Sequence, residues 1–196
     1  MDAKFPRIFL RSIAVFMLLF LLAGTIPSSV PPAFAAPGDI TRVSVDSSNA
    51  QANGGSGRPA ISDDGRYVAF ASNASNLVSD DTNGTGDIFV RDRQTGATTR
   101  VSVRTNGAQA NGASSAPEIS GDGRFVAFYS DASNLLNGDT NGYADIFVHD
   151  RQAGQTTRVS VNSSGEEANS PPSDDYRVVA VGFHDRRAFS RGGHDR

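Results

Sequence analysis

Arg42-Val-Ser-Val45 recurs as Arg100-Val-Ser-Val103 and again as Arg158-Val-Ser-Val161, a spacing of 58 residues each time. Aligning 42–99 with 100–157 needs no gap, and 38 of the 58 positions carry the same residue. A fixed period of this length marks a fold built from one repeated supersecondary unit. Within each unit, turn residues cut out four short segments rich in β-formers. In the first unit these are residues 59–62, 66–72, 87–92 and 98–103. Asp63-Asp64-Gly65 and Gly121-Asp122-Gly123 read as tight turns between the first two segments, with glycine supplying the left-handed residue. Gln94-Thr95-Gly96 and Gln152-Ala153-Gly154 do the same between the last two.

The runs Tyr67-Val-Ala-Phe70 and Ile88-Phe-Val90 are apolar at consecutive positions, so both faces of their sheet are to be covered. A four-stranded antiparallel sheet that needs a sheet on each side is a propeller blade. A β-sandwich is the competing all-β arrangement, but nothing in a sandwich requires its four-strand unit to repeat every 58 residues. The fold class is therefore read as all-β, an incomplete propeller with blades at 59–103 and 117–161. Ile61, Val68, Phe70, Ile88 and Val90 are expected to be buried beside Ile119, Val126, Phe128, Ile146 and Val148. Residues 39–45 read as the outer strand of a blade whose inner strands lie elsewhere.

Ile61-Ser-Asp-Asp-Gly-Arg-Tyr-Val-Ala-Phe70 followed by Asp87-Ile-Phe-Val-Arg-Asp92 resembles the WD-like repeat of TolB-type β-propellers, and the pattern returns at 119–128 and 145–150. The resemblance covers residues 40–161 and implies the propeller fold. For function it implies only a range: periplasmic Tol-Pal proteins, propeller domains of serine peptidases, and other exported proteins.

The third unit starts well at Arg158 and then degrades. Residues 169–181 read as a partial blade in which Tyr176 replaces the turn glycine, a costly exchange where φ is positive. Residues 182–196 match nothing earlier and lack a repeating apolar pattern, which predicts a disordered tail. Since propellers typically have about four to eight blades, the expectation is a chain cut short by a shifted reading frame or a partial gene rather than a natural polar tail. The unclosed faces then call for a protein partner or further blades.

Lys4, Arg7 and Arg11 precede an apolar run over 12–26, and a Pro/Ser/Ala stretch ends in Ala33-Phe34-Ala35. This order reads as a signal peptide over 1–35, cut after Ala35. The apolar run has 15 residues, short of the roughly 20 that cross a bilayer, so no membrane span is expected in the mature chain. The expected localisation is secreted or periplasmic. The chain has no cysteine, which excludes disulfides, thiolate metal sites and a cysteine nucleophile. Residues 36–181 hold 11 Arg against 18 Asp and Glu, a balance that repels a phosphate backbone and argues against nucleic acid as a partner.

Asp81-Thr-Asn83-Gly84-Thr-Gly-Asp87 and Asp139-Thr-Asn141-Gly142-Tyr-Ala-Asp145 stand between the second and third strands. Oxygen donors at positions 1, 3 and 7, with glycine at 4, suit Ca²⁺, so Asp81, Asn83, Asp87, Asp139, Asn141 and Asp145 are the candidate metal ligands. The alternative is that these side chains cap the loop's own backbone. No catalytic residue is assigned. His149, aligned with Arg91, reads as an exposed strand position, the acidic doublets Asp63/Asp64 and Glu166/Glu167 read as solvated turns, and no Gly-x-Ser-x-Gly elbow occurs. Arg42, Arg100 and Arg158 are expected to make ion pairs between blades. The functional reading is an exported, non-enzymatic binding scaffold. Its rivals are the gating domain of an exported hydrolase and a calcium-dependent surface adhesion module.

Overall fold

In this computed structural model the described residues are 40–169. The expected leader, the tail and all but Asn169 of the partial third blade lie outside them. Eight strands form two antiparallel sheets in the orders β1-β2-β3-β4 and β5-β6-β7-β8. The first sheet is β1 (Ser56–Ile61), β2 (Tyr67–Ser72), β3 (Asp87–Asp92) and β4 (Ala97–Arg100). The second is β5 (Ser114–Ile119), β6 (Phe125–Ser130), β7 (Asp145–Asp150) and β8 (Gln155–Arg158). Every register pair of one sheet has its counterpart 58 residues later in the other, as Phe70↔Phe89 and Phe128↔Phe147 show.

The strand limits differ from the expected ones at both ends of each blade. β1 starts at Ser56 because it continues past a bulge between Gly57 and Ala60, repeated between Ser115 and Glu118. Arg58 and Ala116 take positive φ at these bulges, so the backbone course rather than the residue type is repeated. β4 stops at Arg100 because the next residues leave the sheet to make a small ribbon. Val103 bridges Gln109, just as Val45 bridges Gln51 and Val161 bridges Glu167. Each ribbon turns through one left-handed residue, Asn49, Gly107 or Gly165. The expected outer strand at 39–45 is replaced, over its described part, by the first ribbon: only Val45 pairs, because the sheet that would receive a strand there has no counterpart among the described residues.

Strand alternation gives each sheet two apolar faces. Ala69, Ile88 and Val90 on one face of the first blade pack with Ile119, Val126, Phe128 and Phe147 on the facing side of the second, and Val101 and Leu135 join the same cluster. Phe70 and Phe89, on the other face of the first blade, stack at 5.9 Å and pack with Ala74 and Leu77 of their own blade. Where the sheets meet, the Ser114 amide donates to Gly86 O at 2.7 Å and the Asp63 amide donates to Gly121 O at 2.9 Å. The Tyr67 ring carries the Arg151 guanidinium at 4.3 Å, and Arg151 Nη1 donates to Gly123 O. Gly123 lies so close to that ring that a Cβ would collide with it.

Seven of the ten residues expected in the core are buried, and the other three show what this contact covers. Val68, Phe70, Ile88 and Val90, like Ile119, Val126 and Phe128, are buried, whereas Ile146 and Val148 are only half-buried. Ile119 is 7% exposed while its equivalent Ile61 is 58% exposed, and Val101 is 2% exposed while Val159 is 48% exposed. Ile61, Ile146 and Val148 therefore depart from the expectation for one reason: each faces a side on which no sheet stands among the described residues. Truncating the two isoleucines separates the effects. Ile119→Ala should lower the unfolding free energy by about 2–4 kcal/mol and Ile61→Ala by under ~1 kcal/mol in chemical denaturation.

Candidate functional site

The Arg-Val-Ser-Val motif ties the end of each blade to the loop between its second and third strands. Ser102 Oγ donates to Asp87 Oδ1 at 2.5 Å and accepts from the Ile88 amide at 3.1 Å. Asn83 Nδ2 donates to Asp87 Oδ2 at 2.9 Å and to Ala110 O of the ribbon at 3.0 Å, while Asn83 Oδ1 accepts from the Thr85 amide. The second blade repeats most of these contacts: Ser160 Oγ donates to Asp145 Oδ1 at 2.6 Å, Asn141 Nδ2 donates to Ala168 O and Asn141 Oδ1 accepts from the Tyr143 amide, while Asp145 Oδ2 accepts from Arg158 Nη1 at 2.9 Å. Val103 O accepts from Thr156 Oγ1 of the second blade at 2.5 Å, so the ribbon joins both blades.

Arginine supplies the positive charge in these loops. The buried Arg100 guanidinium lies 3.0 Å from Asp80, 3.7 Å from Asp81 and 4.0 Å from Asp87. Arg158 lies 2.9 Å from Asp145, 3.6 Å from Asp139 and 2.6 Å from Glu167. The third carboxylate has moved between the blades: where the second has Gly138 in place of Asp80, it has Glu167 in place of Gln109. Burial raises the carboxyl pKa values of Asp81, Asp87 and Asp139, against which the adjacent arginines act by favouring the charged forms.

The six candidate metal ligands thus gather as two sets, but their donors do not converge as three oxygens. Asn83 and Asn141 turn Nδ2 inward to backbone carbonyls and keep Oδ1 for a backbone amide, the capping role weighed above. Exchanging N and O in either amide would set oxygen against oxygen. A guanidinium already faces the carboxylates in both sets, supplying the positive charge that the sequence reading gave to Ca²⁺.

Five further residues stand differently from their sequence reading. Arg100 and Arg158 make their ion pairs with loops of their own blades or the adjoining ribbon, not across to another sheet, and Arg42 is exposed. His149 is buried, not exposed, and its Nδ1 pairs with Thr156 Oγ1 at 2.9 Å. That hydroxyl donates to Val103 O, so it accepts from His149 Nδ1–H, and burial lowers the pKa of the ring. It is the single histidine among the described residues, and no serine or carboxylate is bonded to it in a triad. Glu167 is an ion-pair partner rather than a solvated turn residue.

An arginine clasp absent from the sequence reading closes each blade. Arg66 Nε and Nη2 donate to the two oxygens of Asp92 at 3.0 and 2.7 Å, and Arg124 grips Asp150 in the same way. Asp92 Oδ1 also caps the Gln94 amide, and although burial opposes ionisation, these bonds hold its pKa at about 2. The 26-residue separation within each 58-residue unit is the signal that could have found it.

No family model matches the chain, and no curated protein matches it. Solved structures do. A TolB protein from Agrobacterium tumefaciens is 19% identical with a TM-score of 0.38, covering 55% of this chain and 31% of that one. TolB from Acinetobacter baumannii is 20% identical with a TM-score of 0.34, covering 59% of this chain and 23% of that one. An acylaminoacyl peptidase in complex with Z-Gly-Gly-Phe-chloromethyl ketone is 21% identical with a TM-score of 0.34, covering 54% of this chain and 14% of that one. The chain spans less than a third of the length of each. The blade assignment rests on the sheets themselves. For the loops, the melting temperature is expected to be the same in millimolar calcium and in chelator; a calcium-dependent rise, lost in Asp81→Ala or Asp139→Ala, would restore the cation to the site.

Proposed function

We propose that the chain is an exported, non-enzymatic scaffold of propeller blades that binds a protein partner through the uncovered face of its second blade. The observation that carries this reading is the contrast within one repeat: Ile88, Val90 and Val101 are buried beneath a neighbouring sheet, while Ile146, Val148 and Val159 are half-buried or exposed. A contiguous apolar surface of this kind on a folded sheet marks a site of interaction. The acidic balance favours a protein over nucleic acid. No helix among the described residues is long and apolar enough to cross a membrane. Cleavage after Ala35 and a secreted or periplasmic location complete the proposal.

The loops act in this reading as ion-pair clasps that stiffen the blade edge, with Arg100 and Arg158 in the role first read as calcium's. Among the described residues, one groove of about 350 Å³ lies between a ribbon and the next loop, with Arg104 its one titratable side chain.

Because the chain has no cysteine, single introduced thiols report the state of each face. In dilute purified protein, Val148→Cys is expected to react with a maleimide at least ten-fold faster than Val90→Cys at the equivalent, covered position. In exporting cells, labelling of Val148→Cys is expected to fall towards that of Val90→Cys. Unchanged labelling in cells would overturn the proposal.

A further inference from the structure

The contact between the two blades supplies a template for what covers the open face. Its donating side is the surface that carries Ala69, Ile88, Val90, Val101 and Gly86 O. Its receiving side is the surface that carries the Ser114 amide, Pro117, Ile119 and Phe128. The second blade repeats the donating side as Ala127, Ile146, Val148, Val159 and Ala144, and the first blade repeats the receiving side as Ser56, Pro59, Ile61 and Phe70. One molecule therefore presents both halves of an interface that it already contains. A groove beside Phe70, lined by Val43, Ser44, Ser56, Gly57 and Pro59, marks the receiving side of the first blade.

The ribbons add a condition. Between the blades, a single ribbon serves both: Ala110 O accepts from Asn83 of the first, and Val103 O accepts from Thr156 of the second. The terminal ribbons are each held on one side. In the first, Val45 O accepts from Thr98 Oγ1 at 2.6 Å, Asp46 O accepts from Arg91 at 2.8 Å, and Ser47 Oγ accepts from the Thr98 amide at 3.0 Å. In the third, Ala168 O accepts from Asn141 and Glu167 pairs with Arg158, whereas Val161 is 40% exposed. At a junction between molecules the first and third ribbons would occupy one seat.

We propose that a second copy of this chain stacks head to tail, its first blade covering Ile146 and Val148, with the third ribbon of one molecule replacing the first ribbon of the next. The proposal rests on the reading that the open face receives a protein. The exchange keeps the bonds at Thr98, with Val161 O and Ser163 Oγ standing in for Val45 O and Ser47 Oγ, and gives up the Arg91 bond to Asn49 Oδ1, whose place Gly165 takes, so the apolar surface newly covered is set against that one bond. Such a heterologous contact closes into a ring when its rotation permits, and otherwise continues as a filament.

The test is a disulfide that forms only across that junction. Ser56→Cys with Ala144→Cys places thiols at the counterparts of Ser114 and Gly86, whose backbones meet at 2.7 Å inside the molecule. On mild oxidation of the purified chain, dimers and larger species are expected on a non-reducing gel. Adding Ile146→Asp and Val148→Asp, on the open face where folding tolerates charge, is expected to abolish them. Ser47→Ala, which weakens the first ribbon alone, is expected to raise the cross-linked fraction about five-fold, the weight of one hydrogen bond. A monomer band only, or a ladder indifferent to the aspartates, would overturn the stacking; an unchanged or lower yield with Ser47→Ala would overturn the ribbon exchange. Protection of Val148→Cys in cells without cross-linking would refute the second copy and leave the scaffold reading standing. Loss of both results would refute the two together.

Discussion

A sheet that is apolar on both faces is not stable with one face in water. β2 and β3 carry apolar side chains at consecutive positions, so covering one face leaves Phe70 and Phe89 still to be buried, and covering the other leaves Ile88 and Val90. The repeat answers this by facing each sheet with the next. Each large aliphatic side chain so covered contributes about 1.5–3 kcal/mol relative to exposure. The Ser114–Gly86 bond and the Tyr67–Arg151 contact then orient one sheet on the other. The same requirement creates the open face, because the second blade repeats the surface that the first blade buries.

The polar parts of the repeat serve that stacking. In the copies at 100–103 and 158–161, the arginine faces the buried carboxylates, the serine bonds the start of β3 or β7 and the second valine opens the ribbon, while Val101 alone plugs a seam between sheets. Leaving a buried carboxylate without its counter-charge is far more costly than the pair is stabilising, which accounts for an arginine at each of these positions. The relocation of the third carboxylate from Asp80 to Glu167 keeps the ratio of charges around the guanidinium while changing the chain position that provides it.

The fold was legible because its evidence is redundant: a turn glycine and an apolar strand are each written twice at one spacing, and the left-handed Gly65 and Gly123 stand where the repeat put them. The site was legible only in part. Asp, Asn and Gly at short spacing specify a tight polar loop, and they do so whether a cation or an arginine from 13 or more residues away balances the charge. Ile61 and Ile119 are the same residue in the same local context, so no pattern within a unit separates the exposed one from the buried one. His149 was misplaced for a related reason. An arginine at the aligned position suggested solvent, but Arg91 itself is buried, with its guanidinium bonded to Asp46 O, Gly96 O and Asn49.

If covering a face, rather than strand pairing within a sheet, governs stability, two strands of nearly identical sequence and register should differ in how readily they open. β3 and β7 share Asp-Ile-Phe-Val and make matching ladders on both sides. Hydrogen exchange of their amides, followed by mass spectrometry at a dilution where the chain is monomeric, compares them within one molecule. The account predicts that β3, between two covered faces, exchanges at least about ten-fold more slowly than β7; equal protection of the two strands would contradict it.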